Sequence, residues 1–265
     1  LKKILGLEKG KVYEDVSSLR YGRIMSMCDS DYDGSHIKGL IINLFQSEWA
    51  SLYKLKGFLV SILTPIIKIT HHRTKEVKSF YSVPDYEKWE KVAKEAGEEG
   101  DWTIKYYKGL GTSTADEAKE YFKNLQMTTY TFTGAGSDNA IELAFNKKKA
   151  DERKEWLMKF DRNNVLDFTK REITFEDFVN KDLIHFSNSD LERSIPSVCD
   201  GLKVSTRKIL FACLKRRLYT KEIRVAQLSG YVSETAAYHH GEVSLQQAII
   251  GMAQNFVGSN NINLL

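Results

Sequence analysis

The sequence is poor in the residues that build small folds held together by disulfides or metals. It has three cysteines and three prolines among 265 residues. Cys28, Cys199 and Cys213 stand far apart, so no C-x-x-C pair indicates a zinc site or a disulfide framework. The longest apolar runs, such as 58–63, fall far short of the roughly 20 residues that a membrane span needs. These absences favour a globular protein of a reducing compartment, without a membrane partner.

Positive charge is concentrated in one segment. The net charge is +4, yet residues 203–224 alone carry eight Lys or Arg and one acid, an excess of +7 that leaves −3 for the rest. A helical pattern over 202–218 predicts a basic amphipathic helix with Ile209, Leu210 and Cys213 on its apolar side. Helix-turn-helix modules place such a helix in the major groove of DNA. A solvated surface helix is the alternative, although ordinary surfaces mix the two signs of charge.

An acidic motif, C-D-S-D-Y-D-G-S-H, occupies residues 28–36. Asp29, Asp31 and Asp33 occupy every second position of the motif, which lies between a predicted strand and a predicted helix. An EF-hand loop also opens with D-x-D-x-D-G, but it needs a bidentate glutamate at its twelfth position, where this chain has Leu40. Carboxylate oxygens suit Mg²⁺, which takes one or two of them beside waters or phosphate oxygens. The motif therefore predicts a magnesium site, with a solvated acidic turn as the alternative.

A glycine-rich loop, K-G-L-G-T-S, occupies residues 108–113. It fits neither named phosphate loop, because Walker A is absent and Thr114 stands where the dinucleotide pattern needs glycine. A strand-to-helix corner with Lys108 beside it remains, either as a phosphate cradle or as a tight turn. Further along, His239 and His240 are adjacent and would point apart on a helix, so they make a poor metal chelate. Phosphate hydrogen bonding and a purely structural role both stay open for this pair.

The order of predicted elements indicates an α/β sheet followed by helices. Periodicity predicts strands at 23–27, 57–69 (with Pro65 bending it) and 102–107, and helices at 37–49, 114–125, 140–160, 205–218 and 244–256. A glycine-rich turn is expected at 133–139 and a loop at 163–170. We place a domain boundary near 160–172. No serine or cysteine nucleophile is evident, so carboxylates and basic groups together favour phosphodiester chemistry.

Taken together, these motifs resemble the eukaryotic-type DNA topoisomerase II family over nearly the whole chain. The segments that carry the resemblance are 29–39, similar to the second acidic motif of the family's TOPRIM domain; 106–113, similar to a later strand and loop; 147–157, similar to the charged connecting helix; and 193–203, Arg207-Lys208, 238–242 and 253–261, similar to the winged-helix domain. Several long motifs in one order make this resemblance far more specific than any single motif.

The resemblance implies a fold in three parts. Residues 1–125 would form the C-terminal part of a TOPRIM domain, an α/β domain with a Rossmann-like parallel sheet. Residues 126–172 would form a charged connecting helix and linker. Residues 173–265 would form the N-terminal part of a mainly helical winged-helix domain of the helix-turn-helix type.

The resemblance also implies a function: the breakage–reunion core of an ATP-dependent enzyme that relaxes and decatenates DNA. The family makes a transient double-strand break through a 5′-phosphotyrosyl link. Asp29 and Asp31 would bind Mg²⁺, supported by Asp33. Arg193, His239 and His240 would support catalysis at the cleavage site. The DNA contacts would be Lys108, Arg153, Lys154, Lys203, Arg207, Tyr238 and Ser244. Double-stranded DNA and a second copy in the full-length protein would be the partners, the nucleus the location, and ATP would bind a domain that this chain does not contain.

Departures from the family pattern limit what this chain does alone. The family's first TOPRIM glutamate would precede Leu1, and its catalytic tyrosine would follow the 260–265 region. We therefore read the chain as a piece of a longer polypeptide and expect it to be inactive alone. Val204 stands where the family usually has proline, and Tyr32 where it has Gln or His.

Two other functions remain open. One is a non-catalytic DNA-binding scaffold with a degenerate TOPRIM domain, although three intact acids argue against degeneration. The other is a different TOPRIM enzyme, such as a primase or a small nuclease. That enzyme would have no need of the motifs at 193–207 and 238–242.

Overall fold

The computed structural model describes residues 2–107, 113–123, 125–168, 170–238, 240–255 and 263–265. Within these residues the strands are β1 Ile24–Ser26, β2 Leu59–Ile62, β3 Ile67–His71, β4 Val77–Phe80, β5 Trp102–Tyr106, β6 Met127–Thr131 and β7 Glu172–Thr174. The helices are α1 Lys2–Leu5, α2 Tyr32–Glu48, α3 Ala50–Lys54, α4 Val83–Glu95, α5 Ala115–Lys123, α6 Ala135–Phe145, α7 Ala150–Met158, α8 Phe175–Phe178, α9 Ile184–Ser194, α10 Val204–Lys215, α11 Val225–Ala236 and α12 Glu242–Ala253.

The chain divides into two compact units, Leu1–Asn188 and Ser189–Leu265. The boundary expected near 160–172 falls inside the first unit. The reason lies in β7, which continues the sheet of that unit by pairing with β6. The segment that follows β7 also buries Phe175, Phe178 and Val179 completely in the core of the first unit.

The main sheet of the first unit has four strands in the order β1-β2-β6-β7. β1 and β2 are parallel, β2 and β6 antiparallel, and β6 and β7 parallel. The expectation of a parallel sheet was therefore wrong for the β2–β6 pair, and the sheet is mixed. α2, α3, α6 and the segment after β7 contribute to its core, with Ile42, Phe45, Leu52 and Ile141 almost fully buried.

A second, three-stranded antiparallel sheet in the order β4-β3-β5 was not predicted. The strand expected over 57–69 is in fact two strands, β2 and β3, which belong to different sheets. Pro65 lies in the break between them. Proline has no N–H group to donate, and this position needs no hydrogen bond to a neighbouring strand. Ile67, Ile69 and Trp102 form the small core of this sheet, against which Trp89 of α4 packs.

The long helix expected over 140–160 was also wrong, because the chain forms two helices there. α6 already begins at Ala135, inside the segment expected as a turn, and it ends before Asn146. The Asn146 side chain accepts a hydrogen bond of 2.9 Å from Lys148 N–H, which starts a 3₁₀ turn over Lys147–Lys149 before α7. Asparagine offers the backbone this alternative to a continued helix.

Among the described residues of the second unit, three helices, α10, α11 and α12, form the core, and the last residues of α9 also belong to this unit. Its core joins Ile209 and Ala212 of α10, Val232 of α11 and Leu245 of α12, none of which is exposed. This confirms the basic helix expected over 202–218 and the helix expected over 244–256, each with shifted ends. Within the residues described, no helix has the length and apolarity to cross a membrane.

Candidate metal and nucleic-acid site

The acidic motif lies at the junction of β1 and α2, as the sequence predicted, but the helix starts five residues earlier. Asp31 is its N-cap, in an extended conformation, and its Oδ1 accepts a hydrogen bond of 2.7 Å from Gly34 N–H. Aspartate is favoured there because its oxygen satisfies an otherwise unpaired N–H group of the first turn. One carboxylate oxygen of Asp31 is thus fixed by the helix, which orients the other.

Gly34 permits a close approach of oxygen atoms in this turn. A Cβ atom at position 34 would lie 1.9 Å from the backbone oxygen of Asp29 and 3.3 Å from Oδ1 of Asp31. No other residue fits without moving the backbone of Asp29. The absence of a side chain at position 34 therefore lets the backbone of Asp29 approach the start of α2, beside Oδ1 of Asp31.

The predicted metal ligands fit Mg²⁺ in part. Oxygen donors from one or two carboxylates, completed by water or phosphate, match the usual coordination of this ion. However, His, Cys, Asp and Glu side chains of the described residues nowhere gather in groups of three or more that could hold a metal. Asp29, Asp31 and Asp33 therefore do not form a complete three-carboxylate cage, and a metal here needs further oxygen ligands.

Sequence reasoning missed the segment that supports this turn, a single π-helical turn at Val179–Leu183 between α8 and α9. Ser35 Oγ donates a hydrogen bond of 2.7 Å to Oδ1 of Asp182 in the π turn. One turn later in α9, His185 stacks on Tyr32 with ring centroids 5.8 Å apart. The first turn of α2 is thereby stabilised by contacts with residues about 150 positions later in the chain.

A weak signal for the π turn exists in the apolar spacing. Phe175, Phe178 and Val179 follow the helical intervals of three and four, but the next buried residues are Leu183 and Ile184. Leu183 keeps the interval of four from Val179, but Ile184 comes six residues after Phe178 and nine after Phe175, which is off the face that an α-helix gives them. The extra residue of a π turn restores it.

The predicted phosphate loop can be described only at its two ends, since Lys108 lies outside the described residues. Glu117 connects these ends. Its carboxylate accepts hydrogen bonds from Tyr107 Oη, from Thr114 N–H at 2.7 Å and from Lys105 Nζ at 2.8 Å. Thr114 Oγ1 in turn accepts from Glu117 N–H at 3.3 Å, which completes a capping box at the start of α5.

These contacts determine the protonation of Glu117. Burial alone would raise its pKa, but the hydrogen bonds from Lys105, Tyr107 and Thr114 outweigh burial and lower the pKa of Glu117 to about 2. Burial, followed by the same hydrogen bond, raises the pKa of Tyr107. Glu117 is therefore an ionised clamp at neutral pH, and sequence reasoning did not identify it.

The two predicted DNA contacts on α7 are used differently. Arg153 Nη1 donates to the backbone oxygens of Leu143 and Asn146, at 3.0 and 2.6 Å, and so caps the carboxyl end of α6. Lys154 is 74% exposed, and its Nζ lies 2.7 Å from Oδ1 of Asp151, which is 94% exposed. Exposed pairs of this kind contribute little to stability, so Lys154 is available to a phosphate group.

In the second unit, two of the predicted DNA contacts, Lys203 and Arg207, lie at the start of α10. Lys203 is the N-cap residue and is exposed. Arg207 forms a bidentate pair with Asp200, with both nitrogen–oxygen distances 2.8 Å. The hydrogen bonds from Arg207 lower the pKa of Asp200 to about 2. Arg207 therefore closes the turn before α10, while Lys203 extends from it.

Three of the remaining predicted residues of the second unit lie in or just before α12, and Arg193 lies near the end of α9. Tyr238 and the exposed His240 pack edge to face with centroids 5.5 Å apart, just before α12, and Ser244 is exposed in its first turn. Arg193 Nε lies 3.1 Å from Oδ1 of Asp190 on α9. His239 lies outside the described residues. Lys208 Nζ donates to Ala237 O at 2.9 Å and so links α10 to the loop that carries Tyr238.

Comparisons with known proteins show which sequences this chain is similar to. The family model for the C-terminal associated domain of TOPRIM matches residues 62–191, and the DNA gyrase/topoisomerase IV family model matches residues 193–265. The chain is 57% identical to DNA topoisomerase 2 of Arabidopsis thaliana over 100% of its length, 54% identical to DNA topoisomerase 2 of Saccharomyces cerevisiae over 100%, and 51% identical to DNA topoisomerase 2-beta of Gallus gallus over 99%.

A solved structure is similar as well. The DNA-binding, cleavage and re-ligation domain of Plasmodium falciparum topoisomerase II superimposes with a TM-score of 0.76 and 47% identity, over 99% of this chain and 35% of that one. The chain spans only 17 to 18% of the length of the three curated relatives named above.

Proposed function

This chain belongs to the eukaryotic DNA topoisomerase 2 family, and from that premise we propose that it forms part of the DNA breakage–reunion core of a type II topoisomerase. The full-length protein would cut both strands of one duplex through a 5′-phosphotyrosyl link, pass a second duplex, and reseal the break at the expense of ATP. The nucleophilic tyrosine, one metal-binding glutamate and the ATP site would lie in other parts of that protein, which would act as a homodimer in the nucleus.

The observation that carries this proposal is the acidic turn between β1 and α2. Gly34 lets the backbone oxygen of Asp29 approach the first turn of α2, just after β1, where Asp31 is the N-cap residue. When bound there, Mg²⁺ would stabilise negative charge on the leaving oxygen or anchor a neighbouring phosphate. Asp29 and Asp31 would hold it, Asp33 would support them, and the Ser35–Asp182 hydrogen bond would keep the turn in place.

The chain's basic side chains would hold the DNA backbone. Lys154 and Lys203 are exposed cations with no buried role, and they would bind phosphate oxygens without reading sequence. Ser244, at the first turn of α12, and Tyr238 would add hydrogen bonds to the same backbone. Arg207 would affect DNA binding indirectly, because its ion pair with Asp200 fixes the turn that carries Lys203.

Covalent capture of DNA by the full-length protein tests the proposal. Supercoiled plasmid and Mg²⁺ are mixed with the protein, and denaturant traps any protein–DNA adduct. We expect Asp31→Asn to abolish the adduct, while Asp15→Asn, which changes an exposed aspartate outside the acidic turn, leaves it intact. No adduct from the unsubstituted protein, with DNA binding intact, would instead favour a DNA-binding scaffold. An equal adduct from both variants would exclude Asp31 as a metal ligand that cleavage needs.

A further inference from the structure

The first unit contains a cavity of about 190 Å³ where β1 and β2 end. Ser30 follows β1, Ile62 ends β2 and Leu63 comes directly after it. Thr128 of β6 pairs with Ser61 of β2. The carboxyl ends of parallel strands are the usual place for ligands in open α/β sheets. The first turn of α2 forms one wall, but none of the proposed DNA contacts lines the cavity.

Much of the cavity wall is apolar and aromatic. The side chains that provide it are Ile66, Tyr81, Tyr130, Leu166, Phe168 and Ile173. Three of these six carry rings, which favour a flat aromatic guest because rings pack well face to face or edge to face. An apolar cavity of about 150 Å³ holds a benzene molecule, so this one has room for a single substituted ring.

The charged side chains of the wall determine which charge a ligand can carry. Six of them line the cavity: Asp31, Lys38, Glu87, Arg162, Lys181 and Asp182. Five have hydrogen-bond or ion-pair partners within the protein. Arg162 pairs with Glu87 at 3.9 Å and Lys181 with Asp177 at 2.7 Å. The two aspartates accept hydrogen bonds from Gly34 N–H and Ser35 Oγ, each of 2.7 Å.

Lys38 is the exception. It is half-buried on α2, and among the residues that the structure describes its ammonium group has no hydrogen-bond or ion-pair partner. His185, also in the wall, is satisfied by Asn164 O at 3.0 Å. The charged side chains of the wall therefore leave one unpaired cation beside an apolar, ring-lined space.

We propose that this cavity binds a small aromatic monocarboxylate, with its ring against Tyr130 and Phe168 and its carboxylate on Lys38 Nζ. A single negative charge matches the single unpaired cation. Without Mg²⁺, a dianion such as a phosphate monoester is disfavoured, because it carries one charge more than Lys38 matches and the carboxylates of Asp31 and Asp182 line the same cavity. An organic cation is disfavoured because it would meet Lys38.

Ligand-observed NMR on the full-length protein tests this site without reference to DNA cleavage. The probes are benzoate, benzamide and benzylamine, which share a ring and differ in charge. On the wild-type protein we expect saturable benzoate binding at least tenfold tighter than that of either other probe. Absence of saturable benzoate binding, or equal binding of benzoate and benzamide, would overturn the proposal without any variant.

Two variants then locate the site. Lys38→Met should weaken benzoate at least tenfold and change benzamide less than threefold, so retained benzamide binding also reports an intact cavity. Val165→Trp, which fills the cavity from its lining loop, should abolish both signals. Lys119→Met, on the exposed face of α5, is the matched control and should change neither. Benzoate binding that survives both cavity variants would place the ligand elsewhere and refute the assignment.

Discussion

Ser35 and Asp182 lie 147 positions apart in the chain, yet Ser35 Oγ donates a hydrogen bond of 2.7 Å to Asp182 Oδ1. Ser35 is only 4% exposed, so its hydroxyl has little access to water in the folded protein. The bond joins the first turn of α2, which carries the acidic motif, to the π turn after α8. Any account of the acidic turn must therefore include a segment well beyond the motif.

Ser35→Ala should lower the free energy of unfolding of the first unit by about 1–2 kcal/mol. The substitution removes the donor and leaves the Asp182 carboxylate without that partner. Urea unfolding of this chain, followed by tryptophan fluorescence, measures the change, because all four tryptophans lie in the first unit. Ser47→Ala is the control on the same helix. It removes an exposed hydroxyl that bonds only to Asn43 O, and we expect a change below about 0.5 kcal/mol. Equal losses from the two variants would show that the Asp182 contact contributes nothing.

Neighbouring residues in the sequence predicted the acidic turn. The contacts that stabilise it come from residues far along the chain, so the sequence did not predict them. The strand β1 and the glycine at position 34 follow from a few neighbouring residues. The true start of α2 was missed because the polar residues from Tyr32 to His36 break the apolar periodicity, although the Asp31 cap marks the helix start. β7 pairs with a strand some 40 residues earlier, and nothing in its three residues reveals that partner.

The break between α6 and α7 shows a second limit of sequence patterns. A run of lysines, Lys147–Lys149, looks like the polar face of one continuous helix. The structure instead turns at Asn146, and Arg153 returns to cap the free carbonyl groups of α6. Charge patterns alone do not distinguish an arginine that binds phosphate from one that binds the chain's own backbone.

Glu117 should make the stability of the first unit depend on acid pH. Its pKa is about 2 in the folded protein and about 4.3 in an unfolded chain, so the folded state favours the ionised form. This contribution is fully present above about pH 4.3 and is lost as the pH falls toward 2. Glu117→Gln should therefore cost on the order of 2 kcal/mol at pH 7 and almost nothing at pH 2.

Urea unfolding curves of the wild-type chain and Glu117→Gln at a series of pH values measure this difference. Glu120→Gln provides the comparison. It removes the exposed partner of Lys68 at 3.3 Å, and its effect should stay below about 0.5 kcal/mol at every pH. A Glu117→Gln cost that is the same at pH 7 and pH 2 would mean that ionisation of Glu117 does not stabilise the loop ends.

Arg153 and Lys154 are adjacent in sequence, but their substitutions should affect different properties, stability for Arg153 and DNA binding for Lys154. Arg153→Ala removes two hydrogen bonds to the carboxyl end of α6 and should lower the unfolding free energy by about 1–3 kcal/mol. Lys154→Ala should change stability by less than about 0.5 kcal/mol. In the full-length protein it should reduce the slope of log affinity for duplex DNA against log salt by about one. Anisotropy titrations over a range of salt concentrations measure that slope, and a wild-type slope for Lys154→Ala would exclude a phosphate contact there.

Val204→Pro should stabilise α10 by about 0.4–1 kcal/mol. Val204 is the first residue of that helix, where the N–H group has no helical partner and the fixed φ of proline suits the chain. The preceding residue, Lys203, already has the extended conformation, with φ −77° and ψ 161°, that a following proline requires. Amide hydrogen exchange of α10 measures the change, since the second unit has no tryptophan. Val204→Ala separates the loss of the valine side chain from the gain in backbone rigidity. Faster exchange in the proline variant than in the alanine variant would show that proline strains the backbone at position 204 and destabilises α10.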